Sequence, residues 1–175
     1  TWTSSARSTD PHDDASATLL PNGAVLVAGG LFPGGVLSSA ELYRSTQDVW
    51  TPTAPLSTPR GQPVAALLPS GKVWVGGGDD SELFDPQSAA WTVLPQAPPL
   101  GAAASVTLLL TGQVLIAGGR LGNGATGAQA HLFDPEANLW TTLRPLHEAR
   151  ERRELRYTAG ASVTREQTPC CGAVS

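Results

Sequence analysis

One phrase, a tight turn followed by an apolar run that ends on two glycines, is written three times in this chain. It reads "LLPNGAVLVAGG" from residue 19, "LLPSGKVWVGGG" from 67 and "LLLTGQVLIAGG" from 108. Around it the spacing is fixed. From Trp2, Trp50 and Trp91 to the next Leu-Leu is 17 residues each time, and from that Leu to the glycine pair is 10. From Glu41, Glu82 and His131 to Trp50, Trp91 and Trp140 is 9 each time, across "ELYRSTQDVW", "ELFDPQSAAW" and "HLFDPEANLW". All length variation falls between the glycine pair and this last segment: 11 residues from Gly30 to Glu41, 4 from Gly78 to Glu82 and 12 from Gly119 to His131. One loop per repeat absorbs every insertion.

A period in the forties built from four short segments is the pattern of a β-propeller, with one four-stranded blade per repeat. In the first repeat the strands read as 16–20, 24–28, 40–43 and 49–53. The Gly of "PNG" and "PSG" supplies the positive φ of the first hairpin, and the Asp of "FDP" turns the third by bonding its own backbone. "AVLVA" is apolar on both faces, as expected of a strand covered on both sides by neighbouring blades. The glycine pair then ends the strand where φ must be positive or a side chain would obstruct close approach.

Composition agrees with a turn-rich β fold. The 175 residues include 19 Gly and 15 Pro, yet 41% are hydrophobic and arranged in regular runs, which favours folding over disorder. A net charge of −4 lacks the basic footprint of a nucleic-acid binder. No apolar run is long enough to span a membrane. The opening "TWTSSARSTD" does not read as a secretory leader. Cys170 and Cys171 are neighbours, too close for an unstrained bridge, and say little about redox compartment.

The order of arginine, apolar strand, Gly-Gly, aromatic and Trp, as in Arg60, Gly77-Gly78, Phe84 and Trp91, resembles the kelch repeat, especially its bacterial form. The match covers residues 1 to about 150. It implies an all-β, partial β-propeller of three four-stranded antiparallel kelch-like blades at about 14–54, 62–95 and 103–144. Residues 1–3 would be an outer strand of a preceding blade, and 151–175 a divergent tail. Arg60 and Arg150 occupy the family's arginine position, whereas His12 and Gly101 stand there in the other repeats, so an ion pair built on it cannot be common to all blades. The bacterial resemblance leans towards a secreted or cell-envelope protein.

The tryptophan column, Trp2, Trp50, Trp91 and Trp140, reads as packing between blades, and Tyr43, Phe84 and Phe133 as a second aromatic column. Glu41, Glu82 and His131 read as anchors for a neighbouring loop rather than catalytic groups. Copper radical oxidases resembling galactose oxidase need two tyrosines, two histidines and a cysteine on one metal; here the tyrosines are Tyr43 and Tyr157, and His12, His131 and His147 lie at unrelated phases. Sialidase boxes are absent, as are zinc, phosphate-loop and nucleophile motifs. The expectation is no enzyme, no cofactor and no metal. Insertions in repeat folds gather on one face that often binds, so Phe32, Asp79, Asp80, Arg120 and Asn123, in the loops after the glycine pairs, are the candidate binding residues. The expected partner is a protein or carbohydrate, met by a recognition or scaffold module. The alternative is an accessory propeller of a secreted carbohydrate-active or oxidase protein whose chemistry lies elsewhere. Since three blades do not close a ring, the chain is expected to be cut from a longer propeller or to pair with a second copy.

Overall fold

The computed structural model describes residues 4–78, 80–94 and 97–150, and these contain strands and turns without a helix. The first sheet is β1 (Ser16–Leu19), β2 (Val25–Ala28), β5 (Ala40–Arg44) and β6 (Val49–Pro52), paired antiparallel in that order. Within the loop after β2 lies a small hairpin, β3 (Leu31–Phe32) with β4 (Gly35–Val36). The second sheet runs β7 (Val64–Leu67), β8 (Val73–Gly76), β9 (Ser81–Asp85), β10 (Ala90–Leu94); the third runs β11 (Ser105–Leu108), β12 (Val114–Ala117), β13 (Ala130–Asp134), β14 (Leu139–Thr142). The first strands β1, β7 and β11 stand side by side, so the sheets fan out from a shared inner edge as blades.

The turns follow the local chemistry. Gly23, Gly71 and Gly112 hold φ of 81°, 81° and 84° in the first hairpin of each blade. In the third hairpin the Asp85 carboxylate accepts the Gln87 N–H at 2.9 Å, and that of Asp134 accepts those of Glu136 and Ala137 at 3.0 Å. The first blade has Arg44 there, and Asp48 takes over at φ 52°, its Oδ1 accepting the Tyr43 hydroxyl and the Ala6 N–H.

Two apolar layers join the blades. Leu20, Leu26, Leu42 and Leu56 of the first meet Val73, Val75 and Phe84 of the second. Trp74, Val64, Leu94 and Leu100 of the second meet Val114, Ile116 and Phe133 of the third. Only β8, held between two blades, is buried at every position; β2 and β12 alternate between buried and half-buried. The expectation that this strand is covered on both faces therefore holds for the middle blade alone, because the outer blades have a neighbour on one side only among the described residues.

The aromatic columns are cross-strand pairs: Tyr43–Trp50, Phe84–Trp91 and Phe133–Trp140, with ring centroids 4.9, 5.0 and 4.7 Å apart. Phe84 and Phe133 are sealed, but Trp50, Trp91 and Trp140 are half-buried on the outermost strands, less enclosed than a place between blades suggests. The indole N–H explains the constant phase. Trp50 donates to Ala6 O at 3.0 Å and Trp91 to Ala54 O at 2.7 Å, each pinning the segment four residues beyond the preceding Trp position. The matching position for Trp140 is Pro95, outside the described residues, as is Trp2. The fully enclosed indole is Trp74, which belongs to no repeated column.

Candidate functional site

Each of the three insertion loops leaves its blade after the second strand, and backbone hydrogen bonds tie the loops to the segments that enter the first strands. Gly30 N–H donates to Arg60 O, Gly78 N–H to Leu100 O and Gly119 N–H to Arg150 O, at 2.8, 2.8 and 2.7 Å. Ala103 N–H reaches Gln62 O, and Ala102 bridges Arg120. These links run from blade to blade, so the loops open on one end of the assembly. The hairpin and hinge turns Pro21-Asn22, Ser70-Gly71 and Pro135-Glu136 gather at the other end, with grooves of about 390 and 120 Å³ between them.

The glycine pairs make this stitching possible. All six residues have positive φ, from 66° at Gly29 to 120° at Gly77. A Cβ on Gly29 would lie 2.7 Å from Arg60 O, and one on Gly118 would run into Arg150 O.

The candidate binding residues have different surroundings. Phe32 is 40% exposed at the tip of the β3–β4 hairpin opposite Gly35, and Val36, paired with Leu31, is 46% exposed. Asp80 lies under the loop end, its carboxylate held by Arg60 and by the Thr58 hydroxyl at 2.8 Å. Arg120 is exposed and its backbone bridges Ala102 and Thr126. Asn123 is exposed and its side-chain oxygen accepts the Ala125 N–H at 3.0 Å, which shapes the turn. Asp79 falls outside the described residues. The loops share a face, but among the described residues no hydrogen bond or ion pair links Phe32, Asp80 and Asn123 to one another.

Beneath that face a polar column repeats with a change of charge in each blade. In the second blade the buried Arg60 guanidinium donates to Gly77 O at 2.7 Å and to Glu82 Oε1 at 3.1 Å, and the other oxygen of Glu82 accepts the Ser57 N–H at 2.9 Å. In the first blade His12 Nδ1 makes the equivalent bond to Gly29 O at 2.7 Å, and Glu41 accepts the Thr9 N–H at 3.0 Å. Both glutamates thus anchor a neighbouring loop. In the third blade the cation position is Gly101, where a Cβ would lie 2.6 Å from Gly118 O, and the loop N–H position is Pro98, which has none. A carboxylate there would be a buried charge without a partner. The residue is His131 instead, 7% exposed, and burial lowers its pKa so that the ring stays neutral.

A groove of about 820 Å³ runs along the inner edge, lined by small residues including Ala17, Ala65, Ser105 and Ala117, and by Arg150. Sequence patterning does not reveal it, since alanines and serines at first-strand positions read as strand filling. No helix among the described residues is long and apolar enough to cross a membrane.

No family model matches the chain, and neither does any curated protein. Solved structures do. The structure of YjhT superposes with a TM-score of 0.72 at 17% identity, covering 86% of this chain and 57% of that one. The chain therefore spans little more than half the length of this neighbour, and the likeness is one of fold: an all-β chain whose described part is three four-stranded antiparallel blades of a propeller-type fold.

Proposed function

We propose that the chain is a kelch-like segment of a propeller that acts as a non-catalytic recognition or scaffold module, using the face that carries the insertion loops. The observation that carries this reading is the shared opening of the three loops, with Phe32 and Val36 exposed on a hairpin and Arg120 and Asn123 on the same end. An exposed apolar tip among charged and amide groups suits a protein surface or a sugar face with flanking hydroxyls. Asp80 serves this face by bracing the loop through Arg60, and Asp79 is its neighbour in sequence. The kelch assignment rests on the fixed offsets of four sequence elements across three repeats.

Backbone amide spectra of the 18.1 kDa chain test the reading. Titration with soluble oligosaccharides and short peptides should move resonances of Phe32, Arg120 and Asn123 and leave Pro21-adjacent Asn22, Ser70 and Glu136 still. Shifts confined to that opposite end would refute it. Turnover of an oligosaccharide during the titration would instead favour a catalytic propeller.

A further inference from the structure

The polar column leaves one buried carboxylate without the cation that its counterpart has. Glu82 is sealed and paired with Arg60; Glu41, at the same blade position and 1% exposed, has no Arg or Lys within salt-bridge distance among the described residues. In place of the guanidinium stand two further donors. Asp10, His12 and Glu41 each offer a ligand atom, and these atoms lie within 4.8 Å of one another. His12 is oriented for that role. Its Nδ1 lies 2.7 Å from Gly29 O, a carbonyl that can only accept, so Nδ1 is the donor there and Nε2 is the nitrogen left for a ligand. Nε2 is buried and has no hydrogen-bond partner. A ring whose far nitrogen is fixed by a backbone carbonyl is the usual posture of a metal-bound histidine.

We propose that Asp10, His12 and Glu41 bind a first-row divalent metal ion such as zinc, which supplies the positive charge that Arg60 supplies in the next blade. Tetrahedral donors at ~2.0–2.2 Å from one ion stand about 3.3–3.6 Å apart, so the cluster needs to close by about 1 Å around the ion. Binding draws all three side chains together, and the half-buried Asp10 lines an open groove of about 570 Å³ along residues 5–11 through which an ion can enter. One imidazole and two carboxylates suit zinc, manganese or iron(II) in preference to the soft, thiolate-seeking metals.

The test is zinc binding by the whole chain at pH 7.5, measured by competition with a chromophoric chelator and by the spectrum of the cobalt-substituted protein. One zinc per chain is expected, with no thiolate-to-cobalt band. Asp10→Asn should weaken binding roughly 10-fold or more, and His12→Gln and Glu41→Gln at least as much. His147→Ala and the Cys170→Ser/Cys171→Ser pair should bind as the parent does. Asp10→Asn keeps the test open if the buried variants fail to fold, because its side chain is half exposed. The proposal is overturned if Asp10→Asn binds as tightly as the parent, or if the cysteine replacements abolish binding. It is overturned also if zinc and chelator leave melting unchanged.

Discussion

The Arg60 guanidinium donates to the Glu82 carboxylate across 3.1 Å with both side chains withdrawn from water, 1% and 0% exposed. Removing Arg60 leaves Glu82 as an uncompensated buried charge, whereas removing Glu82 leaves Arg60 its pairing with Asp80. Arg60→Met should therefore cost about 3–5 kcal/mol and Glu82→Leu less, and the double change should cost less than Arg60→Met alone. Urea melts of the three variants check this. A double-variant loss equal to the sum of the two single losses would mean that the pair is not coupled.

His131 carries the opposite logic. Its folded pKa is depressed by burial, so the folded state binds fewer protons than the unfolded one. Its contribution is whole above the unfolded value near 6.5 and is lost as pH falls through and below it. Between pH 7 and pH 5 the parent should lose more stability than His131→Gln in urea melts. His131→Glu at neutral pH should be destabilised by several kcal/mol, on the order of 3, because neither Gly101 nor Pro98 can supply a partner.

Asp85 and Asp134 are held below the usual carboxylate range, first by the backbone N–H groups of Gln87 and Ala137 and then by Lys72 and Gln113 respectively. A depressed carboxylate contributes above its unfolded pKa and loses that contribution as pH falls through the folded value. Asp85→Ala with Asp134→Ala should flatten the acid limb of a melting curve below about pH 4 and leave pH 7–8 parallel to the parent.

The two kinds of tryptophan should separate by calorimetry. Trp74→Ala empties a sealed site and should cost about 3–5 kcal/mol, with Trp91→Ala below that range. Trp91→Phe keeps the ring against Phe84 and loses only the bond to Ala54 O, about 0.5–1.5 kcal/mol. A larger loss for Trp91→Ala than for Trp74→Ala would contradict the burial.

Gly118 and Gly23 share positive φ, 73° and 81°, but only Gly118 has backbone where a Cβ would go. Gly23→Ala should cost about 1–2 kcal/mol for the left-handed backbone alone. Gly118→Ala should exceed it and shift the Arg150 amide resonance.

The strand frame was legible because offsets repeat. Readings of 16–20, 24–28, 40–43 and 49–53 meet strands at 16–19, 25–28, 40–44 and 49–52. The Asp turns, the glycine conformations and the anchoring role of Glu41 and Glu82 were legible for the same reason. The β3–β4 hairpin was not, since two-residue strands leave no period to detect. Trp74 escaped too: its counterparts are Leu26 and Leu115, so no column marked it, and its burial depends on which blade lies beyond. The Asp10, His12 and Glu41 cluster was hidden because 31 residues separate Asp10 from Glu41, and only folding brings them together.

The bonds from Gly30 to Arg60, Gly78 to Leu100 and Gly119 to Arg150 give the chain a direction in time. Each blade is finished by residues synthesised after it, so a nascent chain always carries one incomplete blade at its growing end. Such a chain assembles from its N-terminus as translation proceeds. A ribosome stalled before residue 60 would hold an exposed Gly30 N–H and an uncovered Leu26–Leu42 face, ready to be capped by the next residues to emerge.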